Sequence, residues 1–434
     1  MAIIPQLSLF GWNEIEQLGD LERLRLVLEY MPDEDLMRLL EEKRGNGRDD
    51  YPVRAMWNSV LAGIVFQHDA IEKLRRELGR NGQLRFMCGF KGKLVPPAWV
   101  YTRFLKSLMN YTDEVDKIFE RLVDELRGIL PNFGKHLSID SKAISSFAKQ
   151  TNKKQTPDGR RDIDADYGRK EYKGKTKDGK LWEKIVKWFG YKLHLVVDAT
   201  YELPMTFKVT KASASDITEG HALLTQIEQK QPEILKIAET LAGDKGYDDT
   251  KFIEKCWDKH QIKPVIDIRN MWKDGEETHL LTGKDNVVYN YRGNVYCYCP
   301  KTGTRREMAS GGFEKDRNTL KKLCPAEHYG IECKGRAECP VTQGIRISLS
   351  EDRRIFTPID RASYKWEKEY NKRTTVERVN SRIDVSFGFE LHTIRGMAKM
   401  KVRCGLALCV MLAMALGRVK ENQADKMRSL VTAV

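Results

Sequence analysis

His136-Leu137-Ser138-Ile139-Asp140 reads as a short strand that delivers an acid at its end, and Thr240-Leu241-Ala242-Gly243-Asp244 repeats the plan further along the chain. Between them, residues 191–198 (YKLHLVVD) and 205–209 are alternating or apolar runs of strand length, with Leu203-Pro204 suited to the turn that joins them. Residues 216–229 and 248–259 are helical in pattern, and 263–268 (KPVIDI) form a fifth strand. Strands and helices in this order predict an α/β sheet. Acids at the C-terminal ends of neighbouring parallel strands converge on one edge of such a sheet.

Outward from that core the texture changes twice. Residues 1–132 read as an all-helical N-terminal domain: Leu21, Leu24, Leu28 and Met31 recur at three- and four-residue spacing, and Val115, Ile118, Phe119, Leu122 and Leu126 share one face. The α/β pattern occupies 133–269. Residues 270–360 are a polar, turn-rich insertion, expected to be too polar to form its own core, and 361–434 return to helix to complete the α/β domain.

Composition bounds the function. The chain has 434 residues, 75 Lys plus Arg against 62 Asp plus Glu, a net charge of +13 and 41% hydrophobic residues. That is enough apolar material for a core, which excludes a disordered chain, and the basic balance favours polyanionic partners. The N-terminus lacks the basic start and apolar stretch of a secretory signal. The longest apolar run, 404–416, is thirteen residues flanked by Arg403 and Arg418. It falls short of the ~20 residues of a membrane helix and reads as a buried core helix. Nine cysteines, an odd number, argue for a reducing cytoplasm rather than a disulfide framework.

Three acids stand out: Asp140 and Asp244 at strand ends, and Glu377 in a predicted helix beyond the insertion. Together they would form a cage of hard oxygen ligands suited to Mg²⁺ or Mn²⁺. Two such ions ~3.5–4 Å apart activate a water or 3′-hydroxyl and stabilise the leaving oxygen in phosphodiester chemistry. Asp198, Asp216 and His221 flank the same edge as candidate supporting groups, while His194, alternating with Leu193 and Leu195, reads as structural.

Between residues 149 and 192, fourteen Lys or Arg face seven acids, interleaved with Tyr167, Tyr172, Trp182, Trp188 and Tyr191. Basic groups neutralise phosphates and aromatics stack on bases, so Lys173, Lys175, Trp182 and Lys187 are candidate DNA contacts; a solvated loop is the plainer alternative. The insertion holds Cys297, Cys299, Cys324, Cys333 and Cys339, spaced C-x-C and then C-x8-C-x5-C. Cys299, Cys324, Cys333 and Cys339 are candidate ligands of a structural Zn²⁺, against reduced, unliganded thiols. Cys88, Cys256, Cys404 and Cys409 lie in apolar helices as core residues.

The blocks LSIDSKAI around Asp140, LAGDKGYDD around Asp244 and Tyr370-x2-Arg373-x3-Glu377 resemble, in order, the three motifs of one large branch of DDE transposases from bacterial insertion sequences. GYKLHLVVD at 190–198 and VPPAWVYTRFLKSL at 95–108 extend the resemblance over nearly the whole chain. The resemblance implies a ribonuclease H-like catalytic domain, with Asp140, Asp244 and Glu377 as metal ligands and Tyr370 and Arg373 on DNA phosphates. Tyr370, Arg373 and Glu377, at i, i+3 and i+7 of one helix, would share a face. Where the signature continues with a Lys, this chain has Asp384; Arg382 or Lys399 could supply the cation instead.

The expectation is a transposase acting in the bacterial cytoplasm at the nucleoid. It would bind the terminal inverted repeats of its element as a homodimer, cut double-stranded DNA and join the ends to target DNA, with no membrane partner. The alternatives are a ribonuclease H-like nuclease or resolvase without strand transfer, and a non-catalytic, zinc-dependent DNA-binding protein.

Overall fold

The computed structural model describes residues 19–45, 50–148, 161–176 and 178–429. Among the described residues seven helices precede the sheet: α1 (Leu21–Tyr30), α2 (Glu34–Arg44), α3 (Val53–Val65), α4 (Ile71–Arg80), α5 (Gly82–Cys88), α6 (Ala98–Leu108) and α7 (Thr112–Ile129). The last is the plainest case of pattern becoming structure. It buries Val115, Ile118, Phe119, Leu122, Val123 and Leu126, one stripe of a 3.6-residue period, and opens with Asp113 and Glu114, where the helix dipole favours anions.

The sheet follows, with β1 (His136–Ser145), β2 (Asp166–Lys175), β3 (Leu181–Asp198), β4 (Leu203–Lys211), β5 (Thr240–Gly243) and β6 (Lys263–Ile266). Its inner part runs β4-β3-β1-β5-β6, with β3 antiparallel to both β4 and β1, and β1, β5 and β6 mutually parallel. Helices α8 (Asp216–Lys230) and α9 (Pro232–Ile237) connect β4 to β5, and α10 (Thr250–Glu254) leads toward β6. β1 is twice the expected length. Beyond Asp140 only Ser141 and Ile144 are buried, and Ser141 to Ser145 continue the ladder against β3. Asp140 therefore stands in mid-strand rather than at a strand end; the Ser and Lys residues that follow it disguise the continuation.

β3 has two halves of different character. Trp188 to Asp198 are almost wholly buried between β1 and β4, whereas Leu181 to Lys187 are all exposed and pair only with β2. The part of the basic segment from 166 to 187 is thus a projecting β-ribbon, not a solvated loop.

The insertion holds two small antiparallel sheets. One is β7 (His279–Leu280), β8 (Val287–Tyr289), β9 (Val295–Tyr298) and β10 (Arg305–Glu307); the other is β11 (Ala309–Glu314), β12 (Thr319–Leu323) and β13 (Ile345–Ser348), with α11 (Pro325–Tyr329) after β12. Contrary to expectation it has its own core, in which Val287, Tyr289, Val295, Leu320, Ile347, Leu349, Ile355 and Phe356 are buried. Short strands contribute one or two apolar residues each, so no single run announced it. Asp248 clamps both ends of the insertion: its carboxylate accepts the Arg269 N–H (2.8 Å) and pairs with the buried Arg354 (2.8 Å).

The chain returns through α12 (Tyr364–Tyr370), a 3₁₀ turn (Asn371–Arg373), α13 (Thr374–Phe387) and α14 (Met397–Lys420). Helix α14 is long and apolar enough to cross a membrane by composition alone, but 89% of its apolar window is buried inside the protein. It lies against α7, α1, α3 and β4. One continuous buried cluster consequently runs from Leu21 to Met427 through the N-terminal helices, the sheet and α14. The junction near 132 is a change of secondary structure within a shared core.

Candidate active site

The parallel ladder between β1 and β5 ends at the pair Ile139 and Gly243. The next residue on each strand is an acid, so Asp140 and Asp244 leave the ladder side by side. Asp244 bends at once into a 3₁₀ turn, with Oδ1 accepting the Gly246 N–H at 2.8 Å, while Asp140 accepts the Ser141 N–H at 2.7 Å. Asp140 is only partly exposed and densely walled. Burial foremost, then the negative charges of Asp244 and Asp216, push its carboxyl up to about 6 against the pull of Lys170.

Asp216, one of the candidate supporting groups, opens α8 and joins the two acids at this edge. A Cβ built on Gly246 would stand 2.8 Å from Asp244 Oδ1 and 3.6 Å from Asp216 Oδ2, so both carboxylates lie against that glycine. Lys192 Nζ holds Asp216 at 3.0 Å. The hydroxyl of Tyr247 is buried without a hydrogen-bond partner among the described residues, and its ionisation is opposed by burial and by Asp140, Asp216 and Asp244 together. His194 is wholly buried, with Nε2 on Thr210 Oγ1 (2.9 Å), and burial lowers its pKa to about 4, so it stays neutral. Asp198 caps a turn by accepting the N–H groups of Gly134, Thr200 and Tyr201, and His221 packs on Phe252.

Glu377 is linked to this edge through Arg373. The expected single helix is broken by the 3₁₀ turn at 371–373, which Ser138 of β1 anchors by donating to the Arg373 carbonyl (3.2 Å). Tyr370 and Arg373 still meet, the guanidinium 5.3 Å from the ring, and Tyr370 stacks on Trp366 at 4.7 Å. Arg373 Nη1 binds Glu377 Oε1 at 2.6 Å, and Asp140 also acts on its charge. Glu377 is 52% exposed. Burial first, then the charge of Asp267, pushes the Tyr370 hydroxyl up to about 12, which keeps it protonated and unsuited as a nucleophile.

Two lysines lie beside Asp140. Lys170, from the ribbon, donates to the Ser141 carbonyl (3.3 Å), and Lys142, two residues along β1 and so on the same face as Asp140, is paired with Asp384. The position where the signature would have a Lys is thus occupied by an acid that holds a lysine from β1. Arg382 is set apart: with Arg378 it binds the buried Glu202, away from the group around Arg373. Lys399 is exposed on α14. Trp182 and Lys187 are exposed on the ribbon, Trp182 lying across Gly174; the side chains of Lys173 and Lys175 lie outside the described residues, although their backbones pair with Glu183 and Leu181.

As the side chains stand, no three His, Cys, Asp or Glu among the described residues are gathered closely enough to hold a metal. What the edge offers a divalent cation is repulsion to relieve: the charges of Asp244 and Asp216 add to burial in raising the cost of ionising Asp140, a fit for Mg²⁺ or Mn²⁺.

The model of the transposase DDE domain matches residues 131–413, from the turn before β1 into the middle of α14. This chain belongs to the transposase DDE-domain family. The match encloses all three acids of this transposase and the whole insertion, and starts where the helical region gives way to the sheet. Comparison with curated proteins gives no match. Among solved structures, the chain is similar to a piggyBac transposase in a cryo-EM synaptic complex with hairpin DNA, at 9% identity and a TM-score of 0.38, over 97% of this chain and 80% of that one. The likeness is too slight to carry an argument about this transposase.

Proposed function

We propose that this transposase belongs to the insertion-sequence branch with the Tyr-x2-Arg-x3-Glu signature, and that it cuts the ends of its element and joins them to target DNA. The observation that carries this reading is that Asp140 and Asp244 each directly follow the last register pair, Ile139 and Gly243, of two adjacent parallel strands. A meander of three strands followed by two strands parallel to the first, in the order β4-β3-β1-β5-β6, supports a ribonuclease H-like catalytic domain.

Asp140, Asp244 and Glu377 would hold Mg²⁺ or Mn²⁺, which when bound supplies a nucleophilic oxygen at neutral pH and charge for the leaving one. The protein does the positioning. Arg373 is engaged with Glu377, so a DNA phosphate arriving between Tyr370 and Arg373 competes for the guanidinium and frees Glu377 to turn toward Asp140. The site is then completed by its substrate. Lys142, held by Asp384, puts a cation on the same strand face as Asp140, and Lys170 adds a second from the ribbon. The exposed ribbon, with Lys173, Lys175, Trp182 and Lys187, would track the DNA backbone. Residues 1–132 would bind the terminal repeats and support a homodimer that pairs two ends, at the nucleoid of a bacterial cytoplasm.

The test uses labelled end DNA, a supercoiled target plasmid and Mg²⁺ or Mn²⁺. Ends joined covalently to plasmid are expected; cleavage with no joined product under any of these conditions would reduce the protein to a nuclease.

A further inference from the structure

Five cysteines spread over 43 residues of the insertion line one small cavity of about 20 Å³, room for a single particle the size of a water molecule or a metal ion. Cys297, Cys299 and Cys324 are buried, Cys333 and Cys339 partly so, and none is in a disulfide. The surrounding backbone is made of turns. Cys299 begins the turn between β9 and β10, with its N–H on the Thr304 carbonyl and its own carbonyl accepting the Gly303 N–H. Cys324 precedes α11, and Cys333 starts a turn closed by the Arg336 N–H.

The stretch from 327 to 340 has no apolar anchor. All its residues are exposed except Cys333, Gly335 and Cys339. A segment that turns inward only two thiols and the glycine between them is held by whatever those thiols hold. Gly335 also brings this segment onto the β9–β10 turn: a Cβ there would lie 3.0 Å from Cys299 Sγ and 2.9 Å from the Lys301 nitrogen. Any side chain at this position would push the two turns apart.

We propose that Cys299, Cys324, Cys333 and Cys339 bind one Zn²⁺ as a four-thiolate structural centre that pins residues 327–340 to the β9–β10 hairpin. The side chains line the wall without yet converging, so ligation requires rotation about Cα–Cβ while the backbone stays in place. Thiolates select Zn²⁺ over the hard cations suited to the carboxylate edge. Four thiolates around Zn²⁺ leave a net charge of −2, and Arg306 and Arg336 in the cavity wall offset it. The Thr302 hydroxyl and the backbone amides of Thr302, Lys301 and Gly335 surround the Cys299 sulfur. Cys297 packs in the core of the insertion. His328, exposed and against the Tyr329 ring, is no ligand.

The full-length protein, purified without added metal or chelator, is analysed for zinc per chain and for thiols accessible to an aromatic disulfide reagent before denaturation. One zinc per chain is expected, with the four thiols protected until a chelator and denaturant are added. Replacing zinc by Co²⁺ should give the intense visible bands of tetrahedral thiolate coordination. Cys324→Ser and Cys339→Ser should each lose most of the zinc and become nicked by protease between 327 and 340, while Cys297→Ser keeps both zinc and resistance. Metal-free protein with freely reactive thiols, disulfides among these cysteines, or zinc retained at one per chain by both Cys324→Ser and Cys339→Ser would each overturn the proposal.

Discussion

Carboxylates and thiols are gathered in this transposase by opposite means. Asp140 and Asp244 ride on adjacent strands of a sheet whose core extends from Leu21 to Met427, so the ladder sets them side by side whatever occupies the edge. The four candidate zinc thiols of the insertion sit on turns and on a segment that otherwise turns inward only Gly335. Strand-borne ligands are preorganised and repel one another without a cation; turn-borne ligands wait for an ion to position them. The first arrangement sacrifices stability for readiness, and the second draws stability from the metal.

The largest effect separates the two regions by activity. Asp140→Asn, Asp244→Asn and Glu377→Gln should each reduce cleavage of end DNA about 10³-fold or more, with unchanged circular dichroism. Cys324→Ser should spare the folded sheet. Near-normal cleavage by one acid variant would remove that residue from the metal site.

Next in size is the cost of readiness. The Asp140 carboxyl has a folded pKa of about 6 against an unfolded value near 3.8. A carboxyl raised on folding favours the fold while protonated, so this contribution is lost as pH rises from about 4 through 6. About two units correspond to roughly 3 kcal/mol at neutral pH. Metal-free Asp140→Asn should therefore be more stable than the parent in urea unfolding at pH 7.5, and no more stable at pH 4. An unchanged midpoint at pH 7.5 would contradict the strained-acid picture. Glu377→Gln, whose partner pair is half exposed, should move the midpoint little.

A smaller effect concerns the swapped charge. Lys142→Ala or Asp384→Ala leaves one partly buried charge uncompensated and should cost about 1–3 kcal/mol, whereas Lys142→Asp combined with Asp384→Lys should recover much of it and restore the signature lysine. Independent, additive losses would show that the pair is not coupled. Smallest is Lys170→Ala, which removes one phosphate contact: the slope of log affinity for end DNA against log salt should flatten by about one. An unaltered slope would take Lys170 off the DNA.

Much of this was legible from residues alone where one pattern had one physical meaning. Strand-length apolar runs ending in Asp140 and Asp244 located the sheet edge, and the heptad-like spacing in α7 and the apolar run in α14 located core helices. Three things were hidden. β1 continues past Asp140 with Ser141 and Ile144 buried and Lys142, Ala143 and Ser145 more open, a pattern without the clean alternation that marks a strand. The insertion core escaped notice because it is assembled from strands of two to six residues, none of which carries a period. The surroundings of the acids, Asp216 beside Gly246, Lys170 from the ribbon and Lys142 on Asp384, arise from contacts between segments far apart in the chain. Asp216 could be named in the sequence as a group flanking the edge, and Asp384 as an acid where the signature has a Lys; their partners could be found only in three dimensions.

The claim on which the rest depends is that these acids touch the metal. Cleavage of end DNA by Asp244→Cys, measured in Mg²⁺ and in Mn²⁺, tests it most directly, because a thiolate accepts the softer ion far better. The parent should cut in both. The variant is expected to be inactive in Mg²⁺ and to recover measurable cleavage in Mn²⁺; a variant that Mn²⁺ restores no more than Mg²⁺ would contradict direct ligation by Asp244.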